Sequence, residues 1–352
     1  MSAPKVIVPA RFPAIEGLPE RLEAAGFAVA TAGSLERAWT AEQLIEVVAD
    51  ADAAIVSPGQ PFPAEALRAA SRLRMVSSPV LGIDHIDVDV ATELGIVVAN
   101  CPTDEVVAGM AEATVMLMVA LLLQLERKQA TLRAGRWRPP TTSTLLRRKT
   151  VGLIAYGRIA RAVEQRLQGW EVAVQAYDPH VAGTVSLATL LTTSDVVSIH
   201  APATKETRRL IGRRELELMK PTAILINTSR GGLVDESALA EAIHADRIAG
   251  AALDVFEQEP IDMDNPLLSC DPFRVILTPH SIGHNVESGP AGADLAFQNV
   301  ARVLAGELPA HVENREVIPR WEERFGRRGA YGGDRRDGDG RATAAPPGGG
   351  AQ

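Results

Sequence analysis

Aromatic residues make up only 4% of this 352-residue chain, and cysteines number two. Cys101 and Cys270 are too few for a disulfide framework or a zinc site of the Cys-x-x-Cys kind, so a reducing compartment is expected. Cationic charge is short as well. Lys+Arg 36 against Asp+Glu 44 leaves a net −8, with no basic surplus to neutralise a phosphate backbone. Nucleic acid is therefore not an expected partner. Long hydrophobic runs are also missing: the longest, Ala113 to Leu123, is too short to span a bilayer and contains Thr114. The chain enters Lys5-Val6-Ile7-Val8 almost at once without a secretory leader, so a cytoplasmic protein away from the membrane is expected.

What is present is ordinary α/β composition, 46% hydrophobic and 23% charged, with length enough for two domains. In the first hundred residues Val6-Ile7-Val8, Ala53-Ala54-Ile55-Val56, Met75-Val76 and Ile96-Val97-Val98 read as buried strands. Residues 19–26 and 62–72 have helical periodicity between them, and Gly26 and Gly95 sit where helices would stop. A second series runs through 150–154, 171–176, 196–199, 223–226, 250–253 and 275–277, with helices over 159–168, 187–191, 213–219 and 236–246. Continuous apolar strands alternating with helices predict parallel sheets covered on both faces. Between the series, 104–128 reads as one long helix, apolar nearly all round and so buried between domains or subunits. A further helix is expected over 289–305. From Gly326 onward Gly, Arg, Asp and Pro dominate, and 326–352 is expected to be a disordered tail.

After the 150–154 strand comes Ala155-Tyr156-Gly157-Arg158-Ile159-Ala160, aligned with a G-x-G-x-x-G dinucleotide fingerprint. Gly157 keeps the position where a pyrophosphate approaches the backbone, and Gly157, Arg158 and Ile159 are the expected contacts. Asp178 follows 23 residues beyond Ala155, at the end of the next strand. An acid there accepts from the adenosine ribose hydroxyls and repels a 2′-phosphate, so NAD is expected over NADP.

Three further strand ends carry unusual polar residues: Asn227-Thr228-Ser229-Arg230-Gly231-Gly232-Leu233-Val234-Asp235, Leu253-Asp254-Val255-Phe256-Glu257-Gln258-Glu259-Pro260, and Thr278-Pro279-His280-Ser281-Ile282-Gly283-His284. Taken singly, Arg230 reads as an ion-pair partner, Glu259 as a loop acid and His280 as a strand-end histidine. Taken together with Ser198-Ile199-His200-Ala201-Pro202, Thr204, Thr207 and Lys220-Pro221, their order and spacing resemble the D-isomer-specific 2-hydroxyacid dehydrogenases. The resemblance covers roughly residues 50–305, and it includes Gly82-Ile83-Asp84-His85-Ile86-Asp87 and Gly95 to Asn100.

This resemblance implies an NAD-dependent oxidoreductase that moves a hydride between nicotinamide and a small 2-oxo or D-2-hydroxy acid. It implies His280 as general acid/base, Glu259 as the carboxylate that favours the charged histidine, and Arg230 as the grip on the substrate carboxylate. Thr207, Thr228, Ser229, Arg230, Asp254, His280 and Gly283 would complete the cofactor contacts, with Asp254 facing the nicotinamide carboxamide. Val80, Leu81 and Gly82 would meet the substrate carboxylate through backbone N–H groups as the domains close. The implied architecture is two doubly wound α/β domains around a cleft. A flavodoxin-like substrate domain would comprise 1–103 plus 288–320, and a Rossmann NAD-binding domain 104–287. A homodimer through the 104–128 helix is the implied assembly.

Phosphoglycerate-type members carry Arg where Ser78 stands and Gly where Val80 stands, so a phosphorylated substrate loses a partner here. Ala155 and Ala160 replace usual glycines, and the connection from Asp178 to Leu187 is short for the family. No metal is expected: His280 and His284 flank Gly283, and Pro279 precedes, so no helix sets both on one face. The alternative function is an NAD(H)-sensing binding protein of the family's corepressor type.

Overall fold

The computed structural model describes residues 3–8, 15, 17–32, 38–138 and 142–326. Apart from Gly326, the tail expected to be disordered lies outside these.

The first sheet comprises β1 (Lys5–Val8), β2 (Ala28–Thr31), β3 (Ala53–Ile55), β4 (Met75–Ser77) and β5 (Val97–Ala99), all parallel in the order β2-β1-β3-β4-β5. Its connecting helices are α1 (Leu18–Ala24), α2 (Ala41–Val48), α3 (Ala64–Ala69) and α4 (Val88–Leu94). Local chemistry explains their ends. Thr40 and Gln43 form a reciprocal capping box that starts α2. Asp87 caps α4 by accepting from the Val90 N–H at 3.1 Å, and Gly95 closes that helix in the left-handed region at φ 73°. The strands β2 and the helices α2 and α4 were not among the elements expected from periodicity.

The crossover that leaves this sheet is α5 (Asp104–Leu122), capped by Thr103 and opened by Asp104 and Glu105 in its first turn. The expected single helix over 104–128 is in fact two. The Leu122 and Leu123 carbonyls accept from Thr144 N–H and Ser143 Oγ instead of from a further helical turn. Gln124 then takes a left-handed φ of 53° and α6 (Leu125–Arg133) sets off anew. By length and composition α5 is the one described helix that could cross a membrane. It packs as a core helix does, with Ala111, Leu117 and Met118 buried against the second sheet and its flanking helix.

That second sheet holds β6 (Thr150–Ile154), β7 (Ala173–Tyr177), β8 (Val196–Ile199), β9 (Ile224–Asn227), β10 (Gly250–Leu253) and β11 (Val275–Leu277). It is also wholly parallel, in the order β11-β10-β9-β8-β6-β7. The helices between are α7 (Arg158–Leu167), α8 (Leu187–Thr193), α9 (Arg213–Leu218) and α10 (Glu236–His244). Counted from its own first strand the order is 2-1-3-4-5-6, so the first five strands repeat the arrangement of the first sheet. The short 178–186 connection, pinned by Val185 N–H on the Ala176 carbonyl at 2.9 Å, runs from β7 into α8 with no strand between.

The chain finally returns to the first sheet. α11 (Ser288–Leu304) lays Ala293, Ala296, Val300 and Val303 against Val6, Val8 and Met75. α12 (Ile318–Phe325) then buries Trp321 completely, its indole N–H donating to the Arg74 carbonyl at 2.8 Å. That last helix was not expected.

Candidate active site

Ligands of open parallel sheets bind beyond the carboxyl ends of the strands. Here those ends carry Asp178, Arg230, Asp254, Glu259 and His280. After β6, Ala155 holds the left-handed region at φ 64° while its N–H bonds the Tyr177 carbonyl at 2.8 Å. The tight turn a glycine would make is therefore kept. A Cβ added at Gly157 would meet nothing within 4 Å, and α7 begins there without a side-chain cap. The result is an open backbone cradle at a helix N-terminus, which suits a pyrophosphate. Ala160 is fully buried, packing α7 onto the sheet, and Ile159 is half-buried beside it. Arg158 turns toward the crossover, donating to the Pro102 carbonyl at 2.7 Å and to Asp104 at 3.1 Å.

Asp178, at the end of β7, accepts from Tyr156 N–H at 2.9 Å and His180 N–H at 2.8 Å. The Tyr156 hydrogen bond foremost holds its carboxyl below the ordinary range, so it stands ionised beside the cradle. After β8, His200 is half-buried with Nε2 3.0 Å from Ser198 Oγ, and burial pushes its pKa down to about 4. Thr207 staples the next loop, donating to the Pro202 carbonyl at 2.7 Å and accepting from Thr204 N–H at 2.8 Å.

At the end of β9, the buried Asn227 accepts from Ser229 N–H and donates to the Arg230 carbonyl, closing a turn that launches the arginine. Thr228 Oγ1 lies 3.2 Å from Thr114 Oγ1 of α5, and Ser229 Oγ donates to the Ile199 carbonyl at 2.7 Å. Gly231 is required next: a Cβ there would lie 1.8 Å from the Phe256 carbonyl carbon. That close approach brings the Arg230 turn against the segment that bears Glu259.

After β10, Asp254 is buried and accepts from Thr278 Oγ1 at 2.6 Å, Ser281 N–H at 3.0 Å and Ile282 N–H at 3.1 Å. The structure thus gives Asp254 the task of tethering both sides of the His280 turn. Glu259 Oε2 sits 2.6 Å from His280 Nδ1, and its other oxygen accepts from Phe256 N–H at 3.0 Å. His280 itself is held at φ 50°, a strained setting for a side chain that must be aimed. With Nδ1 on the carboxylate, Nε2 is the nitrogen left to exchange a proton. Gly283 packs on Met110 of α5, and His284 is exposed.

The first sheet contributes the facing loop. Ser78 Oγ donates to the Gly82 carbonyl at 2.7 Å, Asn100 Nδ2 to the Leu81 carbonyl at 2.9 Å, and Cys101 N–H to the Val80 carbonyl at 3.1 Å. Three consecutive carbonyls are thereby anchored, while the amides of Val80, Leu81 and Gly82 meet no acceptor among the described residues. Burial pushes the Cys101 thiol up to about 12, which makes it a packing residue. Sequence reasoning missed Asp84. It stood only within the Gly82–Asp87 stretch of the resemblance and was given no task, yet it pairs with Arg230 across the two sheets, Oδ2 to Nη2 at 2.6 Å. Nor did it give Asn227, Asn100 or the buried Glu236 their tasks; Glu236 accepts from Glu257 N–H and Asn265 Nδ2 and so holds the loop around Glu259. Among the described residues no group of three or more His, Cys, Asp or Glu side chains is placed to hold a metal ion.

An open helix N-terminus, an acid on the neighbouring strand, and an Arg, Glu and His set on three adjacent strand ends make an arrangement suited to a dinucleotide with an acid–base pair beside it. The glyoxylate reductase of Thermofilum pendens is 40% identical over 296 residues, covering 79% of this chain and 85% of that one. The model of the D-isomer specific 2-hydroxyacid dehydrogenase NAD binding domain matches residues 115–281. The chain belongs to the D-isomer specific 2-hydroxyacid dehydrogenase family.

A D-3-phosphoglycerate dehydrogenase of Methanocaldococcus jannaschii is 37% identical over 303 residues, 83% of this chain but 57% of that one. The chain thus spans little more than half the length of such relatives. Among solved structures, the NADPH-dependent glyoxylate/hydroxypyruvate reductase of Sinorhizobium meliloti with NADP and malonate superposes at a TM-score of 0.76. It is 29% identical, over 88% of this chain and 97% of that one.

Proposed function

We propose that the protein interconverts a small, unphosphorylated 2-oxo acid and its D-2-hydroxy acid, with NAD(H) as the redox partner. The observation that carries this reading is the 2.6 Å Glu259–His280 pair on the two strand ends next to that of Arg230. When bound, the nicotinamide supplies or accepts the hydride at substrate C2. Gly157, Arg158 and Ile159 would hold the pyrophosphate and Asp178 the adenosine ribose. Thr207, Thr228, Ser229, Asp254, His280 and Gly283 would line the nicotinamide end.

Arg230 grips the substrate carboxylate and polarises the neighbouring carbonyl, as a planar and permanently charged donor can. His280 Nε2 delivers or removes the proton on the substrate oxygen. Glu259 keeps the ring oriented through Nδ1 and offsets its positive charge. The free amides of the 80–82 loop meet the carboxylate from the other side as the substrate domain closes. That domain comprises the first sheet with the returning α11 and α12, and the NAD-binding domain comprises 104–287. Ser78 is buried and spent on the Gly82 carbonyl, which supports an unphosphorylated substrate. The ionised Asp178, followed by Pro179 and His180 and not by arginine, supports NAD over NADP.

A homodimer is the proposed assembly. Val115, Met116, Val119, Leu123, Leu125 and Trp170 line an apolar groove of about 500 Å³ on the outer side of α5. Light scattering at micromolar concentration should give twice the chain mass; a monomer would reject it. The two buried free thiols suit a cytoplasmic enzyme.

The test is a 2-oxo acid panel, glyoxylate and hydroxypyruvate included, with NADH and NADPH in parallel. NADH turnover on a small acid is expected, and His280→Ala should lower kcat by a factor of about 10² to 10⁴ with NADH binding retained. NADH binding without turnover on any acid would instead favour a sensor, a reading the reductases and dehydrogenases among the relatives do not favour.

A further inference from the structure

We infer that Asp84 is a positioning residue for Arg230, supplied by one sheet to seat the substrate-binding side chain of the other. The inference rests on the function proposed above. Asp84 Oδ2 lies 2.7 Å from Arg230 Nε and 2.6 Å from Nη2, and Nη1 donates to the Ser229 carbonyl at 2.6 Å. A guanidinium has five N–H donors in a fixed plane. Three are taken here, which leaves one on each terminal nitrogen. Those two are matched in number to the two oxygens of a carboxylate.

The seat is closed from below by the substrate loop. A Cβ at Gly82 would come within 2.4 Å of Arg230 Nη2 and 3.3 Å of Asp84 Oδ2, so the loop backbone lies directly against the ion pair. Asp84 also stands on a fixed platform. Ile86 N–H bonds the Ile83 carbonyl at 2.9 Å, Phe62 N–H the His85 carbonyl at 2.7 Å, and His85 Nε2 lies 3.2 Å from the Val56 carbonyl. Four bonds in the arginine side chain would otherwise rotate freely. With Asp84, Ser229 and Gly82 in place, the guanidinium is ordered before substrate arrives, and ordering it is not left to the binding step. Because Asp84 and Gly82 belong to the first sheet and Arg230 to the second, the carboxylate site is complete only when the two meet.

A plain exposed ion pair would contribute little and would leave catalysis unchanged. The experiment therefore compares the wild type with Asp84→Asn, which keeps the shape, and Asp84→Ala, which removes the seat. KM and kcat are measured on the best acid of the panel, the NADH dissociation constant by fluorescence, and the dissociation constant of oxamate for the enzyme–NADH complex. The expected result is a rise of about tenfold or more in both KM and the oxamate constant for Asp84→Ala. Asp84→Asn should show a smaller rise in the same direction, with NADH affinity and melting temperature unchanged in both. Tenfold corresponds to about 1.4 kcal/mol. Unchanged constants would make the pair a surface contact, and lowered ones would make Asp84 a competitor of the substrate; either overturns the inference while the parent reading stands. A wild type silent on the whole panel overturns both. Should Asp84→Ala fail to fold, Asp84→Asn alone decides.

Discussion

Acidification should weaken the fold through buried histidines, His200 foremost, before the carboxylates respond. His200 ends β8 with its backbone N–H on the Ile154 carbonyl at 2.8 Å and its Nε2 on Ser198 Oγ at 3.0 Å. Burial lowers its pKa from an ordinary 6.5 to about 4. Above pH 6.5 it is neutral in the folded and unfolded chains alike and contributes nothing to the pH dependence. Between 6.5 and 4 the unfolded chain binds a proton that the folded one refuses, so stability falls as pH falls through that window. At about 1.4 kcal/mol per unit the full shift amounts to about 3 kcal/mol, an upper bound because water can enter a site that becomes charged.

The assay is urea unfolding from pH 7.5 to 4.5 for the wild type and for His200→Gln, which keeps a polar group in reach of Ser198. His85, whose pKa burial also lowers, is common to both proteins and cancels in the difference. Asp84, Asp178 and Asp195 have folded-state pKa values below the ordinary 3.8, so the stability they add is lost mainly below this window. The wild type should lose about 2 kcal/mol more than the variant on going from pH 7 to 4.5. Parallel stability curves would refute the reasoning.

Two further outcomes follow from the site. Ala155→Gly relieves a left-handed alanine and should raise stability by about 1 kcal/mol, read as a higher melting temperature, with NADH affinity unchanged. Asp254→Ala strips the acceptor from Thr278, Ser281 and Ile282. It should destabilise the fold by about 3 kcal/mol and depress kcat through the loosened His280 turn, measured by melting and by turnover; wild-type values for both would contradict the tether.

Strand cores were legible because burial on both faces leaves unbroken apolar runs, as in Val6 to Val8. β2 was not, since Ala28–Thr31 lies at the sheet edge, half-exposed and poor in large side chains. For α2 a signal stood in plain view, the Thr40…Gln43 capping box, but its short length hid the periodicity. The break at Gln124 depends on residues 143–144 bringing donors from beyond α6, which no local pattern announces. In the site, Arg230, Glu259 and His280 stood out by residue type and spacing. Asp84 did not, because it meets Arg230 across 146 positions of chain. Glu236 looked like one more helix acid until burial set it beneath the Glu259 loop.

The anchoring of the 80–82 loop bears on how such a site can be altered. Its donors belong to the main chain, and the groups that fix them, Ser78 Oγ, Asn100 Nδ2 and Cys101 N–H, lie outside the tripeptide. Side chains at 80 and 81 are therefore decoupled from the recognition surface that the backbone presents. Under the proposed function, replacing Val80 or Leu81 would reshape the room for a substrate's tail while the amides stay where they are, so selectivity among acids would drift, or be engineered, without rebuilding the part proposed to read the acid itself.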